Sequence, residues 1–294
     1  MRRIVQGAVA LAVVALTAAS GPVTRIDYRA VVAAAAHLQA VSRLITGTPR
    51  QRAAGDLLEY HAFQDPIRQC MAQRGFGYAP PPYVTAPAGP DTGSLGFGDA
   101  NWFAPLRPDS LGIGESYLQL PAPEPPSLNP GYTSLDEAGK ARYNSALDTC
   151  GIVSTDVDFP PMSRRLAADV LGLMLAVGRM PAVKASGRGY AMCLARYGVT
   201  ADGYDDLVER VILRYGPVPG GPAGTAWLAA RGAERAAAAA DVACRTRTYR
   251  IAMVLLGPRL DTFVSAHVAD FAELAREWDG TVRAAAAYPE SGPA

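Results

Sequence analysis

Residues 70–76 read CMAQRGF, and residues 193–199 follow the same pattern as CLARYGV. If a helix ends just before each glycine, Gly75 and Gly198 occupy the C′ position, where a left-handed backbone favours glycine. The apolar residues that accompany a Schellman cap are present in both copies. The pattern therefore predicts two capped helices, each with a cysteine one turn before its end.

Two further cysteines lie in helical patterns, one downstream of each copy: Cys150 and Cys244. Four cysteines allow three pairings. Pairing in chain order, Cys70 with Cys150 and Cys193 with Cys244, produces two helical modules in series, each closed by one disulfide. Pairing Cys70 with Cys193 would instead join both halves into one domain. The repeated pattern favours pairing in chain order, and the other connectivities stay open.

Residues 1–20 have the layout of a secretory signal peptide. Arginines at positions 2 and 3 begin it, an apolar run follows over residues 8–19, and small residues precede Gly21. This run is shorter than the roughly 18 to 20 residues that a membrane span needs, so we expect no stable span after cleavage. The alternative is an uncleaved anchor. Because exported cysteines lie in an oxidising compartment, we expect disulfides and no metal site.

Apolar residues recur at helical spacing through most of the chain, and no run alternates convincingly as a strand. The sequence therefore predicts an all-α fold. Ser134 and Glu137 form a capping-box pattern, and Ser163 is placed to cap the helix after it. The predicted helices span about 26–45, 49–63, 66–74, 134–150, 163–177, 181–198, 202–215, 227–257 and 259–287.

Residues 79–130 differ from the rest of the chain, since twelve of these 52 residues are proline and many are glycine. Large apolar side chains such as Trp102, Phe103 and Ile113 are interleaved, which a flexible linker would lack. We interpret this segment as a long irregular excursion, partly packed on the helices and closed at its base by the Cys70–Cys150 disulfide. The alternative is a tolerated low-complexity insertion.

These observations predict three regions: a signal peptide at 1–20, a first cysteine-paired module at 27–155 that contains the excursion, and a second module at 163–287. The boundary falls near Pro160-Pro161. The length of 294 residues suits two domains, and a hydrophobic content of 49% suits a substantial core. The net charge of +1 argues against nucleic acid as a partner.

The pattern Cys-Met-x-x-x-Gly-Phe-x-Tyr from Cys70 to Tyr78 resembles a motif of secreted actinobacterial proteins that have no assigned activity. The second pattern, Cys193 to Gly198, and residues 240–245 are also similar to that group. Val199 stands where an aromatic residue is usual in the second pattern. The resemblance implies export and disulfide bonds, and it implies no reaction.

The sequence contains none of the motifs Gly-x-Ser-x-Gly, His-Glu-x-x-His or a phosphate-binding loop. Glu59, His61 and Asp65 could supply an acid–base pair, but their spacing selects no mechanism. Three acids at positions 202, 205 and 206 lie in a first helical turn, where they complement the helix dipole. The sequence therefore assigns no catalytic, cofactor-binding or metal-binding residue.

We expect an exported, non-catalytic protein that binds or scaffolds an unknown partner at the cell envelope. The alternative is an extracytoplasmic enzyme with a site between the excursion and the helices. A cleft with convergent polar side chains and a shifted pKa would favour the enzyme, whereas a flat apolar patch would favour binding.

Overall fold

A computed structural model describes residues 26–83, 102–115, 129, 131–151, 160–216 and 224–289. Over these ranges the chain is helical and has no strand, which confirms the predicted all-α fold. Its helices are α1 (Tyr28–Thr46), α2 (Pro49–Gln73), α3 (Glu137–Cys150), α4 (Pro161–Gly178), α5 (Pro181–Gly187), α6 (Tyr190–Arg196), α7 (Tyr204–Tyr215), α8 (Thr225–Ala266) and α9 (Val268–Ala285).

Both copies of the repeated motif end a helix as predicted. Gly75 and Gly198 have φ angles of 80° and 73°. The N–H of Phe76 donates to the carbonyl of Met71 at 3.0 Å, and the second copy makes the equivalent bond at 3.1 Å. A hydrogen bond between residues five apart that encloses the glycine defines a Schellman cap, so the predicted caps are confirmed.

The two disulfides pair in chain order, as predicted. Cys70 bonds to Cys150, which joins the end of α2 to the end of α3, with a Cα–Cα distance of 5.7 Å. Cys193 bonds to Cys244, which joins α6 to the middle of α8, with a Cα–Cα distance of 5.6 Å. All four cysteines are therefore bonded.

Two predicted helix breaks at proline are wrong. Helix α2 continues through Pro66, and α8 continues through Pro258. A proline inside a helix removes one N–H donor, and packing beyond it can outweigh that loss. Ile67 is buried just after Pro66, and Leu260 is buried just after Pro258. The chain bends by 71° at His267, between α8 and α9.

Two predicted helix starts are also wrong. The carboxylate of Asp136, not the hydroxyl of Ser134, caps α3 and accepts a bond from the Gly139 N–H at 2.7 Å. Helix α4 begins at Pro161, because proline suits the first helical position. The hydroxyl of Ser163 then lies inside the helix and donates to the carbonyl of Ile45 at 2.8 Å.

The single helix predicted over 181–198 is divided into α5 and α6. Gly187 ends α5 where the indole ring of Trp102 packs against it. A Cβ atom at Gly187 would lie 2.6 Å from Cζ2 of Trp102, so a side chain at this position would clash. The contact joins the described part of the excursion to the second half of the chain.

Helix α8 is the central helix of the fold. Helix α1 packs along its second half, around Ile251 and Leu256, and α7 packs along its first half, around Ala230 and Ala237. Helix α2 packs against α9. The largest core cluster thus contains side chains from both sides of the predicted boundary near Pro160-Pro161. The division of the chain into two modules at this boundary stays a prediction.

One described segment, Tyr28–Gln73, is long and apolar enough to cross a membrane by length and composition alone. Its best 18-residue window has a mean hydropathy of 1.2, and 39% of that window is buried inside the fold. Two bent helix pairs would qualify if each pair formed one span: α4 with the segment Pro181–Arg196, and α8 with α9. The expected absence of a stable span stays a prediction.

Candidate functional site

A cleft of about 290 Å³ opens between α2, the start of α4 and α9. Its walls combine two guanidinium groups, two carboxylates, two hydroxyls and an indole ring. The lining residues are Thr46, Arg52, Gly55, Asp56, Glu59, Pro160, Ser163, Arg164 and Trp278.

Helix α2 supplies one wall of the cleft from a single face. Positions 52, 55, 56 and 59 follow the spacing i, i+3, i+4, i+7, so they share one side of the helix. The start of this helix is held by a capping box, in which Thr48 accepts from the Gln51 N–H at 3.3 Å and the Thr48 N–H donates to Gln51 at 2.7 Å. Gly55 has no side chain and leaves the middle of this wall open.

The floor of the cleft is the indole ring of Trp278 on α9, which is 5% exposed. The turn between α1 and α2 lies directly on this ring. Gly47 in that turn has a φ angle of 78°, and a Cβ atom there would lie 2.8 Å from Cζ2 of Trp278. Glycine is therefore required at position 47 both for the backbone conformation and for the close approach.

The opposite wall is the first turn of α4, which two hydrogen bonds hold in place. The hydroxyl of Ser163 bonds the carbonyl of Ile45, and the N–H of Met162 donates to the Glu277 carboxylate at 3.0 Å. These bonds tie the turn to α1 and α9. The same turn positions Arg164, whose side chain lines the cleft.

Side chains of both charges line the cleft. Arg52 donates from Nη1 to the carbonyl of Gly47 at 2.6 Å, which holds its guanidinium at the base of the α2 wall. Partial burial and the negative charge of Glu59 raise the pKa of the Asp56 carboxyl, and the positive charge of Arg52 opposes this shift. The site can therefore present hydrogen-bond donors and acceptors of both charges to one small ligand.

A second polar cluster is formed by the buried side chain of Glu234 on α8 and the strap, which we define as residues 110–114. The carboxylate accepts bonds from the hydroxyl of Ser110 at 2.9 Å and from the hydroxyl of Tyr215. It also accepts from the backbone N–H groups of Leu111, Ile113 and Gly114 at 2.9, 3.0 and 3.0 Å. Burial alone would raise the pKa of Glu234, but these donors lower it below its ordinary value.

A third cluster lies further along α8 and holds residues 104 and 105 of the same excursion. Arg245 and Asp241 form a buried ion pair, and Tyr190 donates to Asp241 at 2.7 Å. The guanidinium also donates to the carbonyl of Ala104 at 2.6 Å, and its Cζ lies 4.7 Å from the ring centre of Tyr204. The second and third clusters attach residues 104–114 to α8 with buried polar bonds.

The excursion is therefore packed on the helices over residues 102–115, as predicted. The first residues of the excursion pack on α2. Tyr60 donates to the carbonyl of Pro81 at 2.5 Å, and Tyr83 donates to the carbonyl of Ala53 at 3.2 Å. Residues 84–101 and 116–128 lie outside the described part of the chain. None of residues 102–115 lines the cleft. An enzyme site between the excursion and the helices stays a prediction.

Glu59, His61 and Asp65, which the sequence offered as a possible acid–base set, do not share one site in the structure. Glu59 lines the cleft. His61 is 7% exposed and stacks on the ring of Tyr288 at 3.8 Å, and its Nδ1 lies 3.6 Å from Asp65. Neither His61 nor Asp65 lines the cleft.

The three acids at positions 202, 205 and 206 lie at the start of α7, which begins at Tyr204, two residues later than predicted. Asp206 accepts a bond from the Asp202 N–H at 2.9 Å and pairs with Arg210 at 2.8 Å. Among the described residues, no group of three or more His, Cys, Asp or Glu side chains is arranged to hold a metal ion.

Sequence reasoning missed Arg52, Asp56, Arg164 and Trp278, because they come from three elements that are distant in the chain. It also missed Glu234. A signal for it was present: Glu234 lies seven residues before Asp241 and eleven before Arg245, so all three share one face of a helix. Charged residues on the alanine-rich face of a long helix indicate buried pairing.

No family model, no curated protein and no solved structure matches this chain. The resemblance to secreted actinobacterial proteins therefore stays an expectation from the motifs.

Proposed function

We propose that this chain is an exported protein of the cell envelope that binds a small zwitterionic ligand in the cleft. The observation that carries the binding proposal is that two arginines, Arg52 and Arg164, and two acids, Asp56 and Glu59, line one opening. The observation that supports export is the pair of disulfides, which indicates an oxidising, extracytoplasmic environment. The layout of residues 1–20 supports it further.

The chemistry of the walls suggests the ligand class. A guanidinium group binds a carboxylate through two parallel hydrogen bonds. Carboxylates such as those of Asp56 and Glu59 bind an ammonium group. A ligand that carries both groups, such as a free amino acid or a dipeptide, matches both at once. A volume of about 290 Å³ is near the lower end of small-molecule sites, which suits a ligand of this size.

Thermal unfolding with four probes tests the binding proposal: alanyl-alanine, its N-acetyl form, its C-amide form, and the form with both ends blocked. We expect the free dipeptide to raise the unfolding temperature in proportion to its concentration, and each singly blocked form to do so less. The doubly blocked form should have no effect. Equal effects of all four probes, or no effect of any, would contradict the proposal.

Variants locate the binding in the cleft. Arg52→Gln and Asp56→Asn should each remove the effect of the free dipeptide. Arg50→Gln is the matched control, because Arg50 is exposed on the same helix and does not line the cleft. Loss of binding in Arg50→Gln to the same extent would place the site elsewhere.

N-terminal sequencing of the protein recovered from cells tests export. We expect a mature chain that begins near Gly21, in the extracytoplasmic fraction. A cytosolic protein that begins at Met1 would contradict export and remove the compartment in which the disulfides form.

The raised pKa of Asp56 beside Glu59 favours a second candidate, an extracytoplasmic enzyme that uses the two carboxylates as acid and base. Mass spectrometry of the dipeptide probes after incubation distinguishes the two functions. Conversion of a probe that Asp56→Asn abolishes, while binding is retained, would favour the enzyme. Unchanged probes with saturable binding would favour the binding protein.

A further inference from the structure

The indole N–H of Trp278 has no hydrogen-bond partner among the described residues. The ring is 5% exposed and lines the cleft, and solvent does not contact Nε1 itself. An indole nitrogen is only a donor, and a buried donor without an acceptor is costly. Buried tryptophans usually place this group against a partner. The N–H of Trp278 therefore indicates an acceptor that the described residues do not supply.

This N–H group lies beside the turn that also holds Arg52. A Cβ atom at Gly47 would be 2.9 Å from Cε2 of Trp278, which is the ring atom bonded to Nε1. The carbonyl of the same glycine accepts a bond from Nη1 of Arg52 at 2.6 Å. The guanidinium of Arg52 and the indole of Trp278 thus both contact Gly47, so a charged donor and a neutral donor lie at the same end of the cleft.

The carboxylates of the cleft lie further along α2. Asp56 and Glu59 follow Arg52 by four and seven residues, which is about 6 and about 10 Å along the helix axis. The guanidinium of Arg52 leans the other way, because it bonds the carbonyl of Gly47 just before the helix. The donor end and the carboxylate end of the cleft are therefore separated by at least about 6 Å.

We propose that the cleft selects a short peptide with both ends free, and that the N–H of Trp278 binds its terminal carboxylate together with Arg52. The ammonium group of the peptide then lies at Asp56 and Glu59. This inference rests on the proposed binding function and adds the direction and the minimum length of the ligand. An extended chain spans about 3.5 Å per residue, so two or three residues connect the two ends and a free amino acid does not.

The bond to Trp278 forms only when the ligand binds. Because solvent does not contact Nε1, a ligand oxygen reaches it through a small movement of the indole ring or of the turn at Gly47. A carboxylate is the preferred acceptor, since hydrogen bonds to charged groups are stronger than those between neutral groups. Binding should therefore change the surroundings of the Trp278 N–H directly.

Nuclear magnetic resonance of the three indole N–H groups tests this proposal in the wild-type protein. We expect alanyl-alanine to move the Trp278 resonance downfield until the site is saturated. The resonances of Trp102 and Trp227 are internal controls and should stay in place, because neither residue lines the cleft. Trialanine should act at concentrations similar to those of alanyl-alanine. Alanine should require concentrations at least about tenfold higher, because it cannot engage both ends at once.

Trp278→Phe keeps an aromatic ring and removes the donor. It should weaken the binding of alanyl-alanine about tenfold, which is the effect of losing one hydrogen bond to a charged group. Trp227→Phe is the matched control, and its affinity should equal that of the wild type. Equal affinities of the two variants would overturn the role of Trp278.

Failure of this inference and failure of the proposed function give different results. If alanyl-alanine raises the unfolding temperature but the Trp278 resonance does not move, only the inference is overturned. The same holds if alanine binds as tightly as alanyl-alanine. If the wild-type protein shows neither response, both are overturned. The resonance is measured in the wild-type protein, so this test does not depend on the folding of Trp278→Phe.

Discussion

Asp241 and Arg245 lie one turn apart on α8 and form an ion pair that solvent does not reach. Nε of Arg245 donates to Oδ1 of Asp241 at 2.7 Å, and Nη2 donates to Oδ2 at 2.6 Å, with the side chains 1% and 0% exposed. Asp206 and Arg210 on α7 have the same residue types and the same spacing, but they lie on the surface. The chain thus contains the same Asp–Arg ion pair once in the interior and once at the surface.

The two pairs should respond differently to the same substitution. Asp241→Asn leaves a buried guanidinium without its counter-charge, so we expect the free energy of unfolding to fall by about 3 kcal/mol. Asp206→Asn should leave the denaturant midpoint unchanged within error, because exposed pairs contribute little. Chemical denaturation with the disulfides intact measures both. Similar losses for the two variants would mean that Asp241 and Arg245 are not buried.

Glu234→Gln tests the attachment of the strap. The amide of glutamine places donors where Leu111, Ile113 and Gly114 also donate, so we expect a loss of about 2 kcal/mol and a local opening of the strap. Hydrogen exchange measured by mass spectrometry should show faster exchange at these three backbone groups. Glu115→Gln is the control, since that side chain is 40% exposed. Unchanged exchange in Glu234→Gln would exclude the proposed attachment.

The same carboxylate should make stability depend on pH. Because hydrogen bonds lower the pKa of Glu234 in the folded chain, its contribution is fully present above its ordinary pKa of 4.5 and is lost as the pH falls through the lower folded value. Wild-type protein should lose stability as the pH falls below about 4.5, and Glu234→Gln should lose less. Parallel pH profiles for the two proteins would show that Glu234 is not responsible.

The glycines of the two caps can be compared with helical glycines. Gly75→Ala and Gly198→Ala should each lower stability by about 1 kcal/mol, because both positions have a left-handed backbone. Gly172→Ala and Gly232→Ala make the same chemical change inside α4 and α8 with open space around them. Since alanine favours a helix by about 1 kcal/mol over glycine, these two should stabilise. Unfolding midpoints that move in the same direction for all four would contradict the assignment of the caps.

The sequence predicted features that local chemistry determines. The glycine of a Schellman cap and the all-α class follow from short-range patterns, and the structure contains both. The pairing of the cysteines in chain order is a long-range feature, which the repeated pattern favoured over the other connectivities and the structure also contains. Pro66 and Pro258 were misjudged as helix breaks, because burial of Ile67 and Leu260 beyond them is a tertiary effect.

The site was harder to predict for a related reason. Asp56 and Trp278 line one cleft although more than two hundred residues separate them in the chain. No local pattern indicates which distant helices will meet. Glu234 was missed because its partners are backbone N–H groups, and sequence does not show where a backbone will turn to present them.

Export into an oxidising compartment is what allows the two disulfides to form. In the chain-entropy model each bond closes a loop that stabilises the fold by about 4 kcal/mol, for sequence separations of 80 and 51 residues. Peptide mapping without reduction, on protein recovered from cells, tests this directly, because cleavage after arginine places all four cysteines on different peptides. We predict linked peptides that join Cys70 to Cys150 and Cys193 to Cys244. A peptide that joins Cys70 to Cys193, or four free thiols, would contradict the account.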